Sequence, residues 1–166
     1  MKTNLLLIVF ISLSLTELFA QDKTIGFESK DGWSTQHNQI WNINNERAAE
    51  GIYSLKFKSG SVDSELKHVE FIKNSETIEP GTYEVTLKVW QEDYSVVKGF
   101  SINFQNPWHS VAFKLNKVKK GEWVELSKKL IIEKATKKMV FSVSTNPKWG
   151  GIGTFYLDDV QFKKID

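Results

Sequence analysis

The chain has 166 residues, no cysteine and a formal net charge of +2, with 40% hydrophobic and 13% aromatic residues. The missing cysteines exclude a disulfide framework and a lipid anchored through cysteine. The small charge, with no Gly-rich phosphate loop and no nucleic-acid motif, gives no basis for a nucleic-acid partner.

At the start, Met1-Lys2, an apolar run over 5–15 and Phe19-Ala20-Gln21 read as a secretory signal peptide cut after Ala20. The run is too short to span a bilayer. The expectation is a secreted or periplasmic protein without a membrane anchor, in which 21–166 form one domain large enough to bury a core.

From there on no apolar helical period is sustained, and alternating runs rich in β-branched and aromatic residues recur. They predict strands over 24–28, 40–44, 53–58, 67–72, 81–90, 99–105, 110–115, 123–132, 138–144 and 154–163. Turn signals separate them, among them Asp31-Gly32, Ser59-Gly60, Glu79-Pro80-Gly81, Lys120-Gly121 and Gly150-Gly151. Many short strands without an internal repeat predict an all-β protein: a two-sheet antiparallel β-sandwich or jelly roll.

Strand phase then separates core from surface. Over 81–90, Tyr83, Val85, Leu87 and Val89 form the inner set, leaving Thr86, Lys88 and Trp90 outside. In the next strand Phe100, Ile102 and Phe104 point inward, and Ser101, Asn103 and Gln105 point away. A hairpin through 91–98 would set Lys88 opposite Ser101 and Thr86 opposite Asn103.

The last strand carries Phe155-Tyr156-Leu157-Asp158-Asp159-Val160-Gln161-Phe162, two adjacent acids in an alternating run. Counting by twos puts Asp158 with Tyr156, Val160 and Phe162, and Asp159 with Phe155, Leu157 and Gln161. A carboxylate on an apolar face must be compensated. Asp158 is therefore a metal ligand, or it accepts backbone amides or pairs with Arg47, the only arginine; Asp159 is a solvated acid.

Gly26-Phe27-Glu28 followed by Trp33, Glu50-Gly51-Ile52-Tyr53-Ser54-Leu55-Lys56, Gly81-Thr82-Tyr83-Glu84-Val85, Gly121-Glu122-Trp123 and Phe155-Tyr156-Leu157-Asp158-Asp159-Val160 occur in that order. Together they resemble the carbohydrate-binding modules of the group containing families four, nine and twenty-two. The resemblance spans nearly all of 21–166 and implies a galactose-binding-like jelly roll, commonly with a structural calcium ion. It assigns Glu28 and Asp158 to the ion, with carbonyls from 47–51 and Glu50 as a third carboxylate. Calcium takes six to eight oxygens, which such a set supplies. Members of the group usually sit beside a catalytic domain and this chain carries none, so a separately encoded glycan-active enzyme is an expected partner.

Sugar rings offer apolar C–H faces and hydroxyls, so their sites combine exposed aromatic planes with amide and charged groups. Trp123, Trp33 and Trp41 read as packing residues. Trp90 is out of phase with its strand's core set, and Trp108 and Trp149 lie in Asn-Pro loop segments. With antiparallel strands, the loops at 91–98 and 145–153 share one end and the loop at 106–109 the other. The predicted site is therefore Trp90, Tyr94 and Trp149, with Lys88, Gln91 and Asn103 as polar contacts and a poly- or oligosaccharide as ligand.

No strand carries the Glu-x-Asp-x-x-Glu run of sandwich glycanases, the acids Asp63, Glu65, Glu92 and Asp93 read as loop residues, and His37, His68 and His109 lack metal-ligand spacing. The expectation is a non-catalytic binding module; the alternative is a structural or adhesion sandwich contacting a protein partner. Finally, Lys114, Lys117, Lys119, Lys120, Lys128, Lys129, Lys134, Lys137 and Lys138 crowd the stretch 114–138. They read as solvated faces and charged sheet edges, or as an attraction to an anionic polymer such as an acidic polysaccharide.

Overall fold

The computed structural model describes residues 22–60, 68–144 and 151–166. The expected signal peptide and Trp149 lie outside the described residues. Eleven strands, and no helix, occupy them: β1 Lys23–Ile25, β2 Trp33–Ser34, β3 Trp41–Asn44, β4 Ser54–Ser59, β5 His68–Ile78, β6 Gly81–Gln91, β7 Gly99–Gln105, β8 His109–Lys114, β9 Trp123–Ile132, β10 Thr136–Ser144 and β11 Gly153–Lys164.

They form two antiparallel sheets packed face to face. One runs β3-β4-β11-β6-β9, with β1 also on β11; the other runs β2-β5-β10-β7-β8. The expected two-sheet sandwich is therefore observed, and most strands begin and end within a residue or two of the predicted limits. Alternation is a local signal that a half-buried strand cannot avoid writing into its sequence. The two-residue β2 carries too little alternation to be read.

The core lies between the sheets. The predicted inner residues Tyr83, Val85, Leu87 and Val89 of β6 and Phe100, Ile102 and Phe104 of β7 are all buried. Trp41 is fully buried, packs against Phe57 at 4.9 Å and Phe155 at 5.8 Å, and donates its indole Nε1–H to the carbonyl of Val69 at 3.2 Å. Since Trp41 is in β3 and Val69 in β5, this side chain ties one sheet to the other. Trp33 stacks on Phe71 at 5.0 Å, the packing role expected of it.

Three expectations are corrected. First, β6 and β7 do not pair: β6 lies between β11 and β9, β7 between β10 and β8. Consecutive strands usually neighbour each other, but here the connection through 92–98 crosses between sheets, so Lys88 and Asn103 occupy opposite outer faces of the sandwich. Second, Trp123 is not in the core; it pairs in register with Trp90 on an outer face, and the two rings meet at 6.1 Å. Third, the period of two breaks in β11. A bulge falls between Asp158 and Gln161, with Asp159 at φ 49. Phe155 and Leu157 before it, and Val160 and Phe162 after it, all face the core. Asp158 stays with Tyr156 on the outer face, opposite Lys88. The bulge sits where β11 exchanges its edge partner, β4 up to Leu157 and β1 from Val160.

Candidate functional site

On the outer face of the first sheet the chain between β3 and β4 is fastened by carboxylates. Asp158, only 3% exposed, accepts N–H bonds from Ala49 at 2.8 Å and Glu50 at 3.0 Å on Oδ2, and from Asp159 at 2.8 Å on Oδ1. Glu28 accepts from Ile52 at 3.1 Å and Tyr53 at 3.0 Å. Gly51 lies at φ 64, which favours glycine, and a Cβ there would displace the Glu28 carboxylate from its amide donors. Burial pushes the Asp158 carboxyl up from its ordinary range, against the opposing pull of the three amides.

This arrangement bears directly on the expected calcium set of Glu28, Glu50 and Asp158. Both oxygens of Asp158 face amide hydrogens, Glu28 holds two more, and Glu50 turns away to Lys88 at 2.7 Å. Among the described residues no group of three or more acidic, histidine or cysteine side chains converges on one point. Donor N–H groups present positive dipole ends where a cation would need lone pairs. The donor set as arranged does not fit calcium.

The predicted sugar-contact residues are dispersed. Trp90 is half-buried on the outer face with the Arg47 guanidinium 4.3 Å over its ring, and Arg47 is itself ion-paired to Glu92 at 2.8 Å. Arg47 thereby occupies the plane a sugar would need. Lys88 is held by Glu50 and by Asp159 at 3.3 Å. Gln91 is 1% exposed and donates to the carbonyl of Val97 at 3.0 Å, so it is internal, because it falls in the inner phase of β6. Asn103 lies on the other sheet and accepts from Ser110 at 2.8 Å. Tyr94 is 65% exposed, and its hydroxyl donates to Thr154 at 2.8 Å. The loops at 91–98 and 151–153 do meet, Val96 N donating to the carbonyl of Ile152.

A concavity lies on the second sheet. A groove of about 540 Å³ crosses the outer face of β5, β10, β7 and β8, lined by His68, Ser144, Ser142, Ser101, Gly99, Ala112, Lys98, Lys114 and Asn116. Its cause is side-chain size: Ser142, Ser101 and Ala112 are direct neighbours across three strands, so the sheet carries a transverse row with almost no side chain above it. His68 and Lys114 stand at the sides, and Ser142 Oγ approaches His68 Nδ1 at 3.4 Å. The volume is that of a small-ligand site, and an apolar floor with hydroxyl groups suits a sugar ring. Sequence reasoning placed Ser101 on this face but missed the groove. The available signal was small residues recurring out of phase with Phe100, Phe113 and Phe141.

The sequence matches no protein-family model and no curated protein. Solved structures do match. The CBM22-1 xylan-binding domain of Paenibacillus barcinonensis Xyn10C is 16% identical, with a TM-score of 0.56 over 87% of this chain and 94% of that one. The CBM22-1-GH10 modules of Clostridium thermocellum xylanase 10B, solved with xylohexaose, are 14% identical, with a TM-score of 0.56 over 87% of this chain and 28% of that one. The K1 cleaved adhesin domain of the Porphyromonas gingivalis Lys-gingipain is 14% identical, with a TM-score of 0.55 over 88% of this chain and 99% of that one. The chain thus has the β-sandwich fold of the family 22 carbohydrate-binding modules, a fold the adhesin domain also has.

Proposed function

We propose that this is an exported, non-catalytic carbohydrate-binding module whose poly- or oligosaccharide lies in the groove across the second sheet. The observation that carries the reading is the transverse row Ser142, Ser101 and Ala112, which opens a groove of ligand size on a rigid sheet. Its described lining contains no carboxylate, whereas glycoside hydrolysis ordinarily needs two. The shared fold with xylan-binding modules supports the same reading without deciding it. Export rests on the leader-like start of the sequence, and a separately encoded glycan-active enzyme is the partner that such a binding module would serve.

The test is glycan-array binding by wild type and by Ala112→Trp. Ala112 is exposed, so an indole there fills the groove without disturbing the core. Wild type should bind glycan, and the variant should lose about tenfold or more in affinity with an unchanged melting temperature. Absence of binding across neutral and acidic glycans would reject the function, and undiminished binding by the variant would reject the groove. In that event the second reading gains: a protein-contacting domain using Tyr94, Val96 and Ile152, which are exposed on two loops that touch.

We also propose that the chain between β3 and β4 is held without a metal. Melting temperatures in chelator and in excess calcium should coincide, because only a ligand bound by the native state raises them. A midpoint that rises with calcium would overturn this and restore the ion.

A further inference from the structure

We propose that the groove's ligand is an anionic glycan, its carboxylate or sulfate groups met by lysines along a path that leaves the second sheet over β8. The inference rests on the groove being the binding site and adds the chemical class of its ligand.

A second cleft of about 300 Å³ adjoins the groove, lined by Phe113, Lys114, Asn116, Lys117, Leu126, Ser127 and Lys128. The two share Phe113, Lys114 and Asn116, so they lie side by side and lead from the middle of the second sheet, across its edge strand, to the edge strand β9 of the first. Lys98, Lys114, Lys117 and Lys128 are distributed along this path, all exposed. Among the described residues no Asp or Glu lines either part. Two acids border the path without lining it: Glu70 is the cross-strand neighbour of Ser142, and Glu84 accepts from the hydroxyl of Ser127 at 2.9 Å.

The lysine-rich stretch 114–138 is thereby divided. Lys119 is paired with Glu122 at 2.9 Å, and Lys120 donates to the carbonyls of Asp93 and Ser95 at 2.8 and 2.6 Å. Among the described residues no ion pair joins Lys114, Lys117 or Lys128 to an acid. Lys128 stands opposite the core residue Val85, the inward edge charge that deters sheet-to-sheet pairing. Edge protection accounts for Lys128 and, on the edge strand β8, for Lys114. It does not account for Lys117, which borders the same path from the connection between β8 and β9. Cations along a concave surface concentrate field there and favour a polyanion over a neutral chain.

The experiment titrates the full chain with three soluble polymers: neutral xylan, a polyuronate and a sulfated glycosaminoglycan. Alongside wild type go Ala112→Trp and the double variant Lys114→Glu/Lys128→Glu. Expected is binding of at least one acidic polymer about tenfold tighter than xylan, weakening as salt rises from roughly 0.05 to 0.5 M. The charge-reversed variant should lose most of that preference. The polyuronate and sulfate arms tell which anion is recognised. Equal binding of xylan and both acidic polymers, lost in Ala112→Trp and unchanged in the lysine variant, would overturn the inference while leaving the groove as the site. Acidic polymer bound equally well by Ala112→Trp, and displaced equally by inorganic polyphosphate, would also overturn it, as attraction to any polyanion. No binding of any polymer would overturn both.

Discussion

Asp158→Ala is expected to destabilise the protein by about 3 kcal/mol or more and to lower its melting temperature by roughly 10 °C for a chain of this size. The carboxylate is nearly inaccessible and accepts the amides of Ala49, Glu50 and Asp159. Truncation leaves those donors unsatisfied beneath the chain they belong to, and hydrogen bonds to a charged acceptor are the costly ones to lose. Hydrogen exchange gives the local reading: the amides of Ala49 and Glu50 should lose protection, while core amides of β6 lose it only through the global change. Asp159→Asn is the control. Asp159 touches Lys88 and Gln161 from a half-buried position, and asparagine tolerates its positive φ. It should cost less than about 1 kcal/mol. A melting temperature for Asp158→Ala within a few degrees of wild type would mean that the amide cradle contributes nothing.

Trp41→Ala should cost still more, about 3–5 kcal/mol. The indole is fully buried among Phe57, Phe71 and Phe155; its loss leaves a cavity between the sheets that close-packed neighbours fill only in part. Trp41→Phe separates the two contributions in part, since it keeps one ring, leaves a smaller cavity and removes the bond to Val69. A cost of about 1–2 kcal/mol is expected of it. Denaturant midpoints at an unchanged slope would measure both; equal costs for the two variants would refute the cavity account. The consequence reaches the groove, because Val69 follows His68, the groove residue contributed by β5.

Both effects depend on long-range packing, yet their residues were visible to different degrees. Trp41 shares phase with Ile43 in a short alternating run, and its burial was legible. That Asp158 is buried could also be read from an acid inside an apolar strand, and amide donors stood among the alternatives that reading left open. What covers it could not, because two of its three donors come from residues more than a hundred positions away. Trp90 shows the reverse limit. Its outward phase was readable, but phase does not reveal that Arg47 would lie on its ring.

The alternation of apolar and polar residues determined the strands, their inner faces and a sandwich class, since each depends on neighbours two residues apart along one chain. Tertiary structure alone decided which strands are neighbours. The crossing at 92–98 set Lys88 and Asn103 on opposite faces, and the bulge at Asp158–Asp159 returned β11 to its core phase. The groove arises from the same cause. Ser142, Ser101 and Ala112 are unremarkable one at a time, and they become a floor only when hydrogen bonding lays β10, β7 and β8 side by side in that register.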